Sequence, residues 1–140
     1  MNYYNGFSPQ QRLRALKWLN AEFDAGRRTR PATCDACGQT EGAIECHSED
    51  YSEPFGEHIG RYGVCHRCHM MIHCRFKNPE AWTAYKLHLR DGRIFAPIGR
   101  NYWLFCQQTL DAKGDGVPFK QGPAKGRTFL DDLTAMSMDA

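Results

Sequence analysis

Two pairs of cysteines carry the strongest chemical signal in this chain. Cys34-Asp-Ala-Cys37 and Cys65-His-Arg-Cys68 are both CxxC, with residues 38–64 between them. Each pair can grip one side of a tetrahedral ion, and four thiolates at about 2.3 Å make a closed zinc site of the structural type. The chain has seven cysteines, an odd number that fits poorly with a disulfide framework. Cys65-His66-Arg67-Cys68-His69 also satisfies the CxxCH pattern of covalent haem attachment, but that chemistry normally follows export. A thioredoxin-like redox pair needs a βαβ context, which neither CxxC has. Isolated cysteines are usually small buried hydrophobes, the expectation for Cys74 and Cys106.

A second group of ligands lies just beyond the second CxxC. His69 and His73 are four residues apart in a stretch with a helical pattern, so they share one helix face and can hold a single ion. His47, at the end of an expected strand, can face them from an opposing hairpin.

Taken together, Glu45-Cys-His-Ser-Glu-Asp-Tyr-Ser52, Pro54, Val64-Cys-His-Arg-Cys-His69 and His73 resemble an HNH endonuclease domain. The resemblance is to the zinc-containing branch of phage and bacterial type, and it covers about residues 34–76. It implies a small α+β fold, a ββα-metal core braced by a four-cysteine zinc site, with flanking helices. It implies hydrolysis of DNA phosphodiester bonds with Mg2+ or Mn2+ held by His47, His69 and His73, beside structural Zn2+ on Cys34, Cys37, Cys65 and Cys68. The ion stabilises charge developing on the scissile phosphate, and a histidine activates water.

This chain departs from that pattern at two places. Where relatives have two adjacent histidines it has His47-Ser48, or Cys46-His47 if the register slips by one. His47 is then ligand or general base, and Asp50 and His58 in the following loop are the substitutes for the base. The middle asparagine falls on Gly60. A zinc-braced DNA-binding module with a decayed site is therefore the second reading.

The elements that must position these residues are legible in outline. Ser8-Pro9 starts a helix as N-cap and first position. Leu13, Leu16, Leu19 and Phe23 give it one apolar stripe, and Gly26 stops it. Residues 42–51 and 61–64 read as two strands joined by a Pro/Gly loop, and 66–76 as a helix. Asn78-Pro79 caps another helix with Trp82, Tyr85 and Leu89 on one face, ended by Asp91-Gly92. Tyr102–Phe105 is a compact apolar cluster, residues 112–127 read as a Gly/Pro-rich loop, and 128–136 as a short helix. This divides the chain into an arm, helix and basic linker (1–33), the zinc-braced core (34–76), a helical extension (77–111) and a terminal segment (112–140).

Composition sets the remaining bounds. At 140 residues, 41% hydrophobic and mean hydropathy −0.63, the chain reads as one domain with no spanning segment. The start lacks a signal-peptide layout, so the expected compartment is the cytoplasm. A net charge of +2 excludes a nucleic-acid reading based on bulk charge. Contact with DNA must come from local cations: Arg27, Arg28 and Arg30 in the linker, Arg75 after the helix, with Arg61, Arg67 and Lys77 nearby. Oligomeric state is not encoded in any pattern here.

Overall fold

The computed structural model describes residues 1–98 and 112–123, together with residues 130 and 133. Within them lie three helices and two small antiparallel sheets, an α+β arrangement. Helix α1 spans Pro9–Asp24, strands β1 and β2 span Ile44–His47 and Tyr62–Cys65, and α2 spans His66–Cys74. Helix α3 spans Pro79–Arg90, and β3 (Arg93–Phe95) pairs with β4 (Phe119–Gln121). None of these helices is long and apolar enough to cross a membrane.

Local chemistry explains the starts and stops. The Ser8 side chain accepts from the Gln11 backbone N–H while the Gln11 side chain accepts from Ser8 N–H, a capping box ahead of Pro9. Asn78 caps α3 by a one-way bond, its side chain accepting from Ala81 N–H at 3.2 Å. Helix α3 buries Trp82, Tyr85 and Leu89 as its spacing predicts. The stripe on α1 is rotated from expectation: Leu13 and Leu16 are exposed, whereas Ala15 and Leu19 are buried against Ile59. Small Ala15 permits close approach of the loop, and the Trp18 and Phe55 rings pack tilted, centroids 5.9 Å apart.

The hairpin is short and tightly registered. Ile44 pairs with Cys65, Glu45 with Val64, Cys46 with Gly63 and His47 with Tyr62. Its last residue, Cys65, is also the N-cap of α2, so strand passes into helix with no linker. Ahead of the hairpin, the segment around Asp35 lies on β2: Asp35 N–H donates to Gly63 O at 2.7 Å and its carboxylate accepts from Gly63 N–H at 2.8 Å. A Cβ on Gly63 would lie 2.5 Å from Pro31 Cβ, so only glycine lets the two segments meet.

The terminal segment departs from its sequence reading. Residues 119–121 form β4 against β3, in a stretch expected to be loop, and β3 itself lacks any sequence signal beyond Ile94 and Phe95. Gly122 N–H donates to Gly92 O at 2.7 Å, and the backbone of Gly92 with φ of +84° turns the chain from α3 into this ribbon. The Tyr102–Phe105 cluster, Cys106 and most of the expected 128–136 helix lie outside the described residues. Leu130 is buried in the main core with Met71, Ile72 and Tyr85.

Replacing Gly63 by Ala should destabilise the chain by about 1–3 kcal/mol, the usual cost of overpacking a rigid contact. Urea denaturation should show a lower midpoint with an unchanged slope. A midpoint equal to that of the wild type would mean the 31–35 segment does not press on β2.

Candidate metal centres

Cys34 and Cys37 sit in the turn before the hairpin, Cys65 ends β2 and Cys68 lies in the first turn of α2. All four are buried, and their sulfurs lie within 4.8 Å of one another. Cys37 Sγ and Cys65 Sγ are 3.9 Å apart. Four thiolates at about 2.3 Å from a central ion have tetrahedron edges of about 3.8 Å, so the spacing matches a zinc-sized ion. Backbone N–H groups aim at the sulfurs, Cys37 N–H at Cys34 Sγ (3.4 Å) and Gln39 N–H at Cys37 Sγ (3.3 Å). Side-chain hydrogen bonds from Cys37, Cys65 and Cys68 pull the Cys34 thiol far below its ordinary value, while sharing with Cys34 pushes Cys65 and Cys68 up. The cluster can hold a structural metal such as zinc.

The second centre is made by alternation on a strand and periodicity on a helix. Glu45 and His47 are two residues apart on β1 and share its face, while His69 and His73 are one turn apart on α2. The ligand nitrogens of His47, His69 and His73 lie within 4.8 Å of one another. His69 Nε2 and His73 Nε2 are 3.2 Å apart, and the His47 ring centroid is 5.2 Å from each of the other two. Burial holds the His47 pKa down at about 4, and burial with the neighbouring His69 holds His73 at about 2. Both rings are neutral at neutral pH, the form that binds metal.

Carboxylates stand behind the histidines. Glu45 Oε1 accepts from His69 Nδ1 at 2.9 Å and from His66 Nδ1 at 3.0 Å. Burial opposes its charge, yet the bonds from His69 and His66 hold its pKa down at about 2. Because Nδ1 of His69 is committed to Glu45, its Nε2 lone pair is the one left for an ion. Glu49 stands beside His47, with Oε2 2.5 Å from His47 Nε2.

Other expected site residues fall elsewhere. Asp50 lies outside the histidine cluster, and its Oδ1 accepts from Ser52 N–H at 2.8 Å in a local turn. His58 pairs its Nε2 with Ser52 O at 2.8 Å. Ser48 is buried, and its Oγ accepts from Gly60 N–H at 2.6 Å. Gly60 takes φ of +62°, and a Cβ there would lie 2.6 Å from Leu19 Cδ2, so a side chain would strain the backbone and displace Leu19. Arg75 needs correcting as a DNA contact: it is buried, with Nη2 on Glu49 Oε1 at 2.6 Å and Nη1 on Tyr4 OH at 2.7 Å. Arg67 is buried as well. Arg27 is exposed beside Glu22, and Arg28 reaches Gly60 O at 3.4 Å. Arg30, exposed over the Phe23 ring, lines a cleft of about 340 Å³ that also contains Glu45 and His69.

Tyr4 is the residue the sequence concealed. It belongs to a segment expected to be a loose arm, yet it is buried over the histidines with its ring centroid 4.5 Å from that of His73. The partners of its hydroxyl lie 43 to 71 residues away, so no local pattern could reveal it. Comparison with family models, curated proteins and solved structures finds no match to this chain.

Elemental analysis after dialysis should find about one zinc per chain on the four cysteines. Cys37→Ala should lose that zinc and the hairpin–helix fold with it, because metal binding and folding are coupled. A folded, zinc-free Cys37→Ala protein would exclude the structural role.

Proposed function

We propose that this chain is a metal-dependent DNA endonuclease of HNH type, in which the β1–β2 hairpin and α2 form a ββα-metal core. The observation that carries this reading is the convergence of His47, His69 and His73, from strand end and helix, beside a cluster of four cysteines. Three imidazoles on one side leave the rest of an ion's coordination open to water and phosphate, as a catalytic site requires. When bound, that ion supplies charge stabilisation at the scissile phosphate. The donor set is all nitrogen, which suits Mn2+ and later transition ions better than Mg2+.

The chain's own residues divide the remaining work. The cysteines hold hairpin and helix in register, so His47 and the α2 histidines face each other. Glu45 fixes the His69 ring. Exposed Arg30 at the cleft beside Glu45 and His69 gives a phosphate backbone a cation next to the histidines. Ser48, tied to Gly60, serves the fold of the loop and takes no proton from water.

That assignment of Ser48 also favours a second reading, a zinc-braced DNA-binding module without catalysis. Supercoiled plasmid separates the two. Wild-type protein should nick or linearise it with Mn2+, and His73→Ala should slow cleavage by at least about 100-fold, the rate equivalent of the several kcal/mol an ion supplies. Zinc content should stay unchanged. DNA binding without cleavage in Mn2+ and Mg2+ would establish the module instead.

Duplex binding should weaken steeply with salt. Arg30→Ala should weaken it on all sequences alike and reduce the slope of log K against log salt by about 1. An unchanged slope would remove Arg30 from the interface.

A further inference from the structure

Glu49 has an environment built for one purpose. Its Oε1 accepts from Arg75 Nη2 at 2.6 Å and lies 3.4 Å from Asn5 Nδ2. Its Oε2 accepts from the Tyr4 hydroxyl and meets His47 Nε2 at 2.5 Å. Tyr4 OH in turn accepts from Arg75 Nη1 at 2.7 Å and lies 3.3 Å from His47 Nε2. Asn5 Nδ2 also donates to Glu49 O at 2.9 Å, fastening the arm to the end of β1.

This arrangement decides the tautomer of His47. A carboxylate has only lone pairs to offer, so His47 Nε2 carries the proton and donates it. Nδ1 is then a bare acceptor, and it is buried with no hydrogen-bond partner. An orphaned buried acceptor is unfavourable unless something fills its place. Glu49 Oε2 meets the Nε2 end of the ring, and Nδ1 is the end left for an ion shared with His69 and His73. Glu45 stands behind His69 in the same relation.

Accordingly, we infer that Glu49, locked by Arg75 and by Tyr4 of the N-terminal arm, is the positioning residue that directs His47 to bind the ion through Nδ1. The inference rests on the reading that the three histidines hold a divalent ion. Residues 1–7 are thereby part of the metal centre. Two carboxylate–histidine pairs, Glu49–His47 and Glu45–His69, then hold two of the three rings. Such outer partners fix ring orientation and raise ligand basicity.

The test uses the full chain, 15N-labelled, with and without added Zn2+ beyond the structural equivalent. Long-range 1H–15N spectra of the imidazoles report which nitrogen is coordinated. The expected result is His47 bound through Nδ1 with a retained Nε2–H, and His69 bound through Nε2. Coordination of His47 through Nε2 overturns the inference while leaving the metal centre standing. No change at any of the three histidines overturns the metal centre as well. Titration with Mn2+ gives a second readout: Glu49→Gln should weaken affinity about 10- to 100-fold. Tyr4→Phe, which keeps the ring, should weaken it in the same direction. Zinc on the four cysteines should match the wild type in both. Affinities within twofold of the wild type in both variants would overturn the role of Glu49.

Discussion

The joint at the four cysteines is the constraint on which the rest of this structure depends. Two four-residue strands joined by a long loop are marginal in water without further support. Here Cys34 and Cys37 arrive from the preceding turn, Cys65 from the strand and Cys68 from the helix, and all four sulfurs share one small volume. The joint therefore fixes three segments at a point. Tyr85 of α3 reaches the same point, with its OH 3.1 Å from Cys68 Sγ, so the second layer of helix is referenced to it as well.

Polar burial at the histidine centre follows a different logic. His47, Glu49, Arg75 and Tyr4 are removed from water to differing degrees, and each finds a charged or hydrogen-bonding partner there. A buried guanidinium opposite a partly buried carboxylate is weak evidence for stability, because desolvation offsets much of the attraction. Its value is specificity: the side chains admit one arrangement, and that arrangement aims a ring nitrogen. Glu49 stays charged despite burial because His47, Tyr4 and Arg75 outweigh the desolvation that would neutralise it.

Much of this was legible in the residue order. The CxxC pairs, the i, i+4 histidines, the Ser8 and Asn78 caps and the α3 face all rest on local spacing, and the structure reproduces them. What the sequence hid depends on distant partners. Tyr4 matters only because Glu49, His47 and Arg75 fold back onto it. Arg75 reads as a surface cation until its carboxylate is in place. The α1 stripe misled because helical periodicity gives a period and not a phase: Ala15, not Leu16, faces the loop. Glu45 could have been found, since it shares a strand face with His47 two residues on. The β3–β4 ribbon pairs segments more than twenty residues apart, in a stretch rich in glycine, where no periodicity survives.

The span between Tyr4 and Arg75 has a consequence for timing during synthesis. Tyr4 leaves the ribosome well before its partners, the last of which follows 71 residues later. At 5–20 residues per second that interval is about 4–14 s. Cys34 and Cys37 emerge midway through it, whereas Cys65 and Cys68 emerge only near its end. The thiol joint and the histidine centre therefore mature almost together, late, and in that order. A chain stalled at residue 74 carries every histidine of the trio, with Tyr4 and Glu49, and lacks only the arginine that locks them.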